Sequence, residues 1–181
     1  MQMSARKLSM KELNRISPEE FRLAGKLPVT VVLDNIRSQN NTGSAFRTSD
    51  AFRIERICLC GITAVPPHRE IHKTALGAED TVEWKYYKST LDAIRELKTS
   101  GYKILVIEQT DLGLPVQQFE PGENLKFALV FGNEINGVDE EILAYADSCL
   151  DIPQFGTKHS LNVSVVIGII LWEVLRKIKK I

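Results

Sequence analysis

The sequence predicts an α/β fold with a mainly parallel sheet and helices on both faces. Three observations predict it. Strand-like and helical patterns alternate from Val29 onward. Several strand-like runs are continuously apolar and β-branched, as in parallel strands covered on both sides. The chain has 181 residues, 44% hydrophobic and 25% charged, which is the composition of one globular domain.

Residues 1–27 carry six bases against three acids and read as a basic extension, leaving 28–181 as the domain. Within the extension, Ser17-Pro18-Glu19-Glu20 has the form of a helix start: a cap, a proline at the first position, then acids. Strands are expected at Val29–Leu33, Arg56–Cys60, Val82–Tyr86, Ile104–Ile107, Phe127–Phe131 and Cys149–Ile152. Helical patterns fall near 40–53, 69–77, 90–99, 138–146 and 161–178. Gly101 follows the third of these as a stop, and Asn136-Gly137 turns the chain before Asp139-Glu140-Glu141 open the fourth. The last helix, from Leu161 to Trp172, is apolar on most faces and needs burial by the core or by a partner.

Composition narrows the function classes. Basic and acidic residues balance at 23 each, so a wholesale polyanion-coating protein is not expected. The charge is uneven: the extension is +3, the last nine residues are +3, and residues 28–172 are −6. Cys58, Cys60 and Cys149 are too few for a disulfide scaffold and suit a reducing compartment. Met1–Met10 has no apolar stretch, so no signal peptide is expected, and Leu161–Trp172 is too short to span a bilayer. A cytoplasmic protein is expected.

In parallel sheets ligands bind beyond the carboxyl ends of the strands. Three loops there carry polar groups. Asn40-Asn41-Thr42-Gly43-Ser44-Ala45-Phe46-Arg47 follows the first strand, with amides, a glycine that permits close backbone approach, and an arginine. Phe131-Gly132-Asn133-Glu134-Ile135-Asn136-Gly137 follows the most apolar strand and offers exposed backbone and one carboxylate. Ile152-Pro153 through Ser160-Leu161-Asn162 opens the last helix, with Ser160 at a candidate N-cap. Each taken singly can be a turn, a cap or an ion-pair partner.

Other chemistries lack their residues. No G-x-G-x-x-G follows a strand, Gly156-Thr157-Lys158-His159-Ser160 lacks the rest of a P-loop, and no G-x-S-x-G occurs. His68 and His72 are four apart with Glu70 between, which is not H-E-x-x-H, and no third ligand is evident. No metal is expected.

Taken together, Asn41-x-Gly43-x-x-x-Arg47, Phe131-Gly132-x-Glu134-x-x-Gly137, and Ile152-Pro153 followed by Ser160-Leu161-Asn162-Val163-Ser164 resemble the three motifs of the SpoU/TrmH family. These are S-adenosylmethionine-dependent RNA ribose 2′-O-methyltransferases. The resemblance covers about residues 28–178. It implies an α/β knot, in which the C-terminal segment forms a deep trefoil, and a homodimer. It implies RNA as partner, either tRNA or rRNA, and S-adenosyl-L-methionine as methyl donor.

Matched position by position, Gly132, Ile152 and Leu161 correspond to donor-binding residues, and Ile107 is expected to line the same pocket. Arg47 corresponds to the catalytic arginine and Asn41 to its partner, with Glu134, Ser160 and Asn162 as the remaining polar positions. The family proposal makes Arg47 the base, assisted by an RNA phosphate. A guanidinium is a poor base at neutral pH, so anchoring of the phosphate and polarisation of the hydroxyl suit it better. Asn41, Ser160 and Asn162 would order the loops and Arg47, and Glu134 would hold a neighbouring N–H. Two other classes compete: a non-catalytic RNA-binding or ribosome-assembly protein on the same scaffold, and a small-molecule enzyme using another nucleotide.

Overall fold

The computed structural model describes residues 5–9, 11–123 and 126–181. Residues 1–4 and 10 of the extension lie outside that set. Seven strands form one sheet: β1 Leu27–Asp34, β2 Ile54–Cys60, β3 Glu83–Tyr87, β4 Lys103–Ile107, β5 Leu114–Pro115, β6 Phe127–Phe131 and β7 Ser148–Asp151. Their order is β3-β2-β1-β6-β4-β7-β5, and every pairing is parallel. The helices are α1 Pro18–Leu23, α2 Gln39–Ala51, α3 Arg69–Ala75, α4 Thr90–Thr99, α5 Glu140–Leu143 and α6 Val163–Lys179. Short 3-10 turns add Ala78–Asp80 and Val116–Gln118.

The continuous apolar runs are explained by burial on both faces. Val29, Val31 and Leu33 of β1, with Phe127, Leu129 and Phe131 of β6, join a core shared with α1, α2, α3 and α6. Val32, Ala128, Val130, Cys58 and Cys60 point the other way, into a core beneath α4 and α5. Alternate side chains of a strand face opposite sides, so each side receives its own apolar set. Burial pushes the Cys58 thiol up to about 11 and raises that of Cys60 as well. Both are protonated packing residues, not nucleophiles.

The local signals act as their chemistry requires. Ser17 and Glu20 form a capping box at α1, and Phe21 of that helix is buried in the first core. The basic extension is thus tied to the domain by an apolar anchor. Gly101, at φ +83°, ends α4 after the N–H of Tyr102 bonds back to the Leu97 carbonyl.

One topological feature positions the site. β7 lies between β4 and β5, although β4 and β5 are consecutive in the chain. The arch 108–113 joining them must pass over the end of β7. The chain that leaves β7 towards α6 meets this arch, where the Gln109 amide donates to the His159 carbonyl at 3.0 Å.

α6 packs Ile167, Ile170, Leu171 and Val174 into the first core. Its outer stripe of Val165, Ile169 and Trp172 is exposed, Trp172 by 51%. No helix among the described residues is long and apolar enough to cross a membrane.

Candidate active site

The ends of β4, β6 and β7 open into a cleft of about 570 Å³. Its apolar walls include Ile107, Phe131, Leu150, Ile152, Leu161 and Val166. All four residues matched to donor binding, Ile107, Gly132, Ile152 and Leu161, lie on it. Among the polar residues matched to catalysis, Glu134, Ser160 and Asn162 lie on it as well.

The loop after β6 is shaped by two glycines. Asn133 and Gly137 exchange backbone hydrogen bonds of 2.9 Å in both directions, which pinches the loop shut. A Cβ at Gly132 would run into the backbone of Gly137 and Val138, so only glycine permits this closure. Gly137 sits at φ +71°, and a Cβ there would strike the Glu108 carboxylate. That carboxylate accepts from the N–H of Val138 at 3.1 Å and of Gln109 at 2.9 Å. Asn133 accepts from the N–H of Ile135 at 2.9 Å and donates its amide to the Asn35 carbonyl at 2.7 Å.

Asp34, buried at the end of β1, braces the same loop from beneath. It accepts from the Thr90 hydroxyl, the Asn35 amide at 3.0 Å and the Asp139 N–H at 3.3 Å. Burial raises its carboxyl above the ordinary value, against the hydrogen bonds from Thr90 and Asp139.

At the rim, one line of hydrogen bonds joins all three loops. Glu134 accepts from the backbone N–H of Arg37 at 3.1 Å and of Ser38 at 3.3 Å, and from the Asn41 amide at 3.0 Å. Asn41 in turn accepts from the Asn162 amide at 3.2 Å. Asn162 caps α6 by accepting from the N–H of Ser164 at 2.8 Å and its hydroxyl at 2.6 Å. Burial raises the Glu134 carboxyl, but these donors outweigh it and hold the group below the usual carboxylate range.

Two expectations change. The N-cap of α6 is Asn162, not Ser160, because the helix begins at Val163 and only the Asn162 side chain reaches the first turn. Ser160 is exposed on the cleft and makes no hydrogen bond among the described residues. Gly43 does admit a close backbone approach, but to α3: a Cβ there would meet the Ile71 carbonyl and the Thr74 hydroxyl.

Arg47 stands apart from the cleft. It sits two turns into α2, whose other side buries Phe46, Ala45 and Ser49. The guanidinium is exposed and has no hydrogen bond or ion pair among the described residues. His68 and His72 are accounted for separately. His68 accepts the Glu70 N–H as the cap of α3, and His72 contacts Glu79 at 2.5 Å.

Glu108 and Asp151 carry no signal in the sequence, and Asn133 stands at an unassigned position of the second loop. Asp151 lies on the cleft, and its Oδ1 is buried with no partner among the described residues. With Glu108 and Glu134 it makes an acidic lining that contains no lysine or arginine. An acidic, apolar-walled cleft with a glycine cradle suits a ligand that joins an aromatic base to a positive centre. S-adenosylmethionine, a sulfonium with an amino group and an adenine, is such a ligand.

Comparison with known proteins agrees with this chemistry. The family model described as SpoU rRNA Methylase family matches residues 28–172. The chain is 27% identical over 152 residues to the tRNA (guanosine(18)-2′-O)-methyltransferase of Borreliella burgdorferi, covering 84% of this chain and 68% of that protein. It is 31% identical over 167 residues to the Thermus thermophilus enzyme of the same name, covering 92% and 84%. The crystal structure of the A. aeolicus TrmH/SpoU tRNA modifying enzyme superposes with a TM-score of 0.79 at 25% identity, covering 90% of this chain and 83% of that one. The AdoMet-bound rRNA methyltransferase of Sinorhizobium meliloti gives 0.78 at 27% identity, covering 90% of this chain and 61% of that longer one.

Proposed function

Because this chain belongs to the SpoU rRNA methylase family, we propose that it transfers the methyl group of S-adenosylmethionine to a ribose 2′-hydroxyl of RNA. The observation that carries this reading is the line Glu134–Asn41–Asn162, which holds three loops together at the mouth of the acidic cleft. Relatives named for tRNA and rRNA make one of these RNAs the substrate class.

When bound, the donor supplies a methyl group already activated on sulfur. The chain's own residues hold it and prepare the acceptor. Ile107, Ile152 and Leu161 flank the apolar part, and Gly132 lets the backbone come close. Asp151, with its unpaired oxygen, meets the positive end of the donor. Transfer would form the O2′–methyl bond as the methyl carbon–sulfur bond breaks, the donor leaving as its neutral thioether and the hydroxyl proton passing to the adjoining RNA phosphate or to water. Asn41 and Asn162 fix the rim on which the ribose rests. Arg47 anchors the adjoining phosphate through its planar fork and polarises the hydroxyl.

A second copy of the chain covers the exposed stripe of Val165, Ile169 and Trp172 on α6, a reading supported by the apolar character of that face. The dimer places the exposed Arg47 and the cleft within one larger RNA surface. Residues 28–181 are the catalytic domain and 1–27 its basic extension. The segment leaving β7 threads the arch 108–113 as a knot, and the protein works in the cytoplasm. Incubation with labelled S-adenosylmethionine and unmodified tRNA or rRNA tests the reaction. Label in RNA is expected; donor binding without label in either RNA would contradict it.

A further inference from the structure

A second groove, of about 560 Å³, lies along the sheet edge at β3 and shares no residue with the cleft. Trp84 lines it from the edge strand and is 36% exposed. Pro67, His68 and Arg69 line its other parts, and Arg69 is exposed with no ion pair among the described residues. Arg22 of the basic extension reaches its border, donating to the Asp80 carbonyl at 3.2 Å.

The informative residue is Glu79. Its side chain is only 7% exposed, and it lines this groove. One carboxylate oxygen contacts His72; the other, Oε2, is buried with no partner among the described residues. A buried carboxylate oxygen left unpaired is costly, so the site calls for an N–H donor. An indole wall calls for a flat ring, and the nearby arginines call for phosphate.

A flat ring with a donor edge and a phosphate is a nucleotide. Of the four RNA bases, guanine alone sets two N–H donors side by side on its pairing edge. Adenine, cytosine and uracil each put an acceptor beside their donor, which a carboxylate repels. We propose that this groove binds an unpaired guanine nucleotide of the RNA substrate, away from the nucleotide that is methylated. The base stacks on Trp84 and donates to Glu79, while Arg69 and Arg22 take the phosphates. The RNA part of this proposal rests on the methyltransferase reading.

The two tryptophans, Trp84 and Trp172, give two indole N–H resonances, and the one lost in Trp84→Leu identifies Trp84. Titration with the trinucleotide ApGpA is expected to shift the Trp84 resonance at about tenfold lower concentration than ApApA. Glu79→Gln is expected to abolish that preference. No shift with either trinucleotide, or a preference that survives Glu79→Gln, overturns the proposal. In methyl transfer, Trp84→Leu is expected to raise the KM for RNA on the order of tenfold, with kcat and donor affinity unchanged. An unchanged KM for RNA also overturns it. If the wild type transfers no methyl at all, the methyltransferase reading fails, and the ApGpA titration still decides whether the groove takes guanine.

Discussion

The Asn41 amide donates to Glu134 Oε1 at 3.0 Å, across 93 residues of sequence. Asn41 faces Asn162 with its other end, so one side chain couples the loops after β1, β6 and β7. Removing either Asn41 or Glu134 breaks the same line. Asn41→Ala and Glu134→Gln should therefore each lower kcat/KM, and the double variant should lose less than the sum. A coupling of about 0.5–3 kcal/mol is expected from a double-mutant cycle on kcat/KM. Strict additivity would mean that the bond does not organise the site.

The same carboxylate gives the site a pH signature. The folded-state value of Glu134 lies below its ordinary one. Its stabilisation is therefore complete above the ordinary carboxylate range and is lost as pH falls through the depressed folded value. Glu134→Gln carries no such titration. The Tm advantage of the wild type over that variant should shrink between about pH 6 and about pH 3. A constant difference across that range would contradict the assignment.

Gly132 is where the cleft is least tolerant of change. An alanine Cβ would meet the Gly137–Val138 backbone, which cannot swing aside as a flexible side chain can. Gly132→Ala should cost about 1–3 kcal/mol of stability and displace the loop that faces the donor. Calorimetry should record at least about tenfold weaker S-adenosylmethionine binding. Unchanged affinity in a folded variant would remove Gly132 from the donor site.

The outer face of α6 predicts an assembly. Trp172 is half exposed beside Phe52, with ring centroids 6.3 Å apart. Trp172→Glu places a charge where an apolar partner face is expected. Sedimentation should give twice the 20.4 kDa chain mass for the wild type and a single chain mass for the variant. A monomeric wild type would contradict the dimer.

Much of this was legible in the sequence because both levels of signal agree. Six of the seven strands are expected from the sequence, and β1, β4 and β6 stand out as apolar runs, since a strand buried on both faces cannot hide its composition, whereas the edge strand β3 is exposed over residues 83–86. β5 was not visible: Leu114–Pro115 is two residues, too short for any periodicity. α6 starts at Val163 and not at the expected 161, because Leu161 is apolar for the sake of the cleft, not of the helix. Ser160 and Asn162 are both good caps by type, and only the backbone path decides between them. Glu108 and Asp151 carry no motif, and their importance arises from how β4 and β7 are set side by side. Nor could the sequence say that Arg47 would stand outside the cleft of its own chain.

The position of the methyl group on RNA decides which reaction the protein catalyses. RNA labelled by the wild-type protein should be digested to completion and the label located. A 2′-O-methylated, nuclease-resistant dinucleotide is expected. Because Arg47 is exposed and without protein partners among the described residues, Arg47→Ala is expected to fold with an unchanged Tm and bind the donor normally, yet yield at least about a hundredfold less product. Label on a base, or full activity in Arg47→Ala, would contradict these expectations.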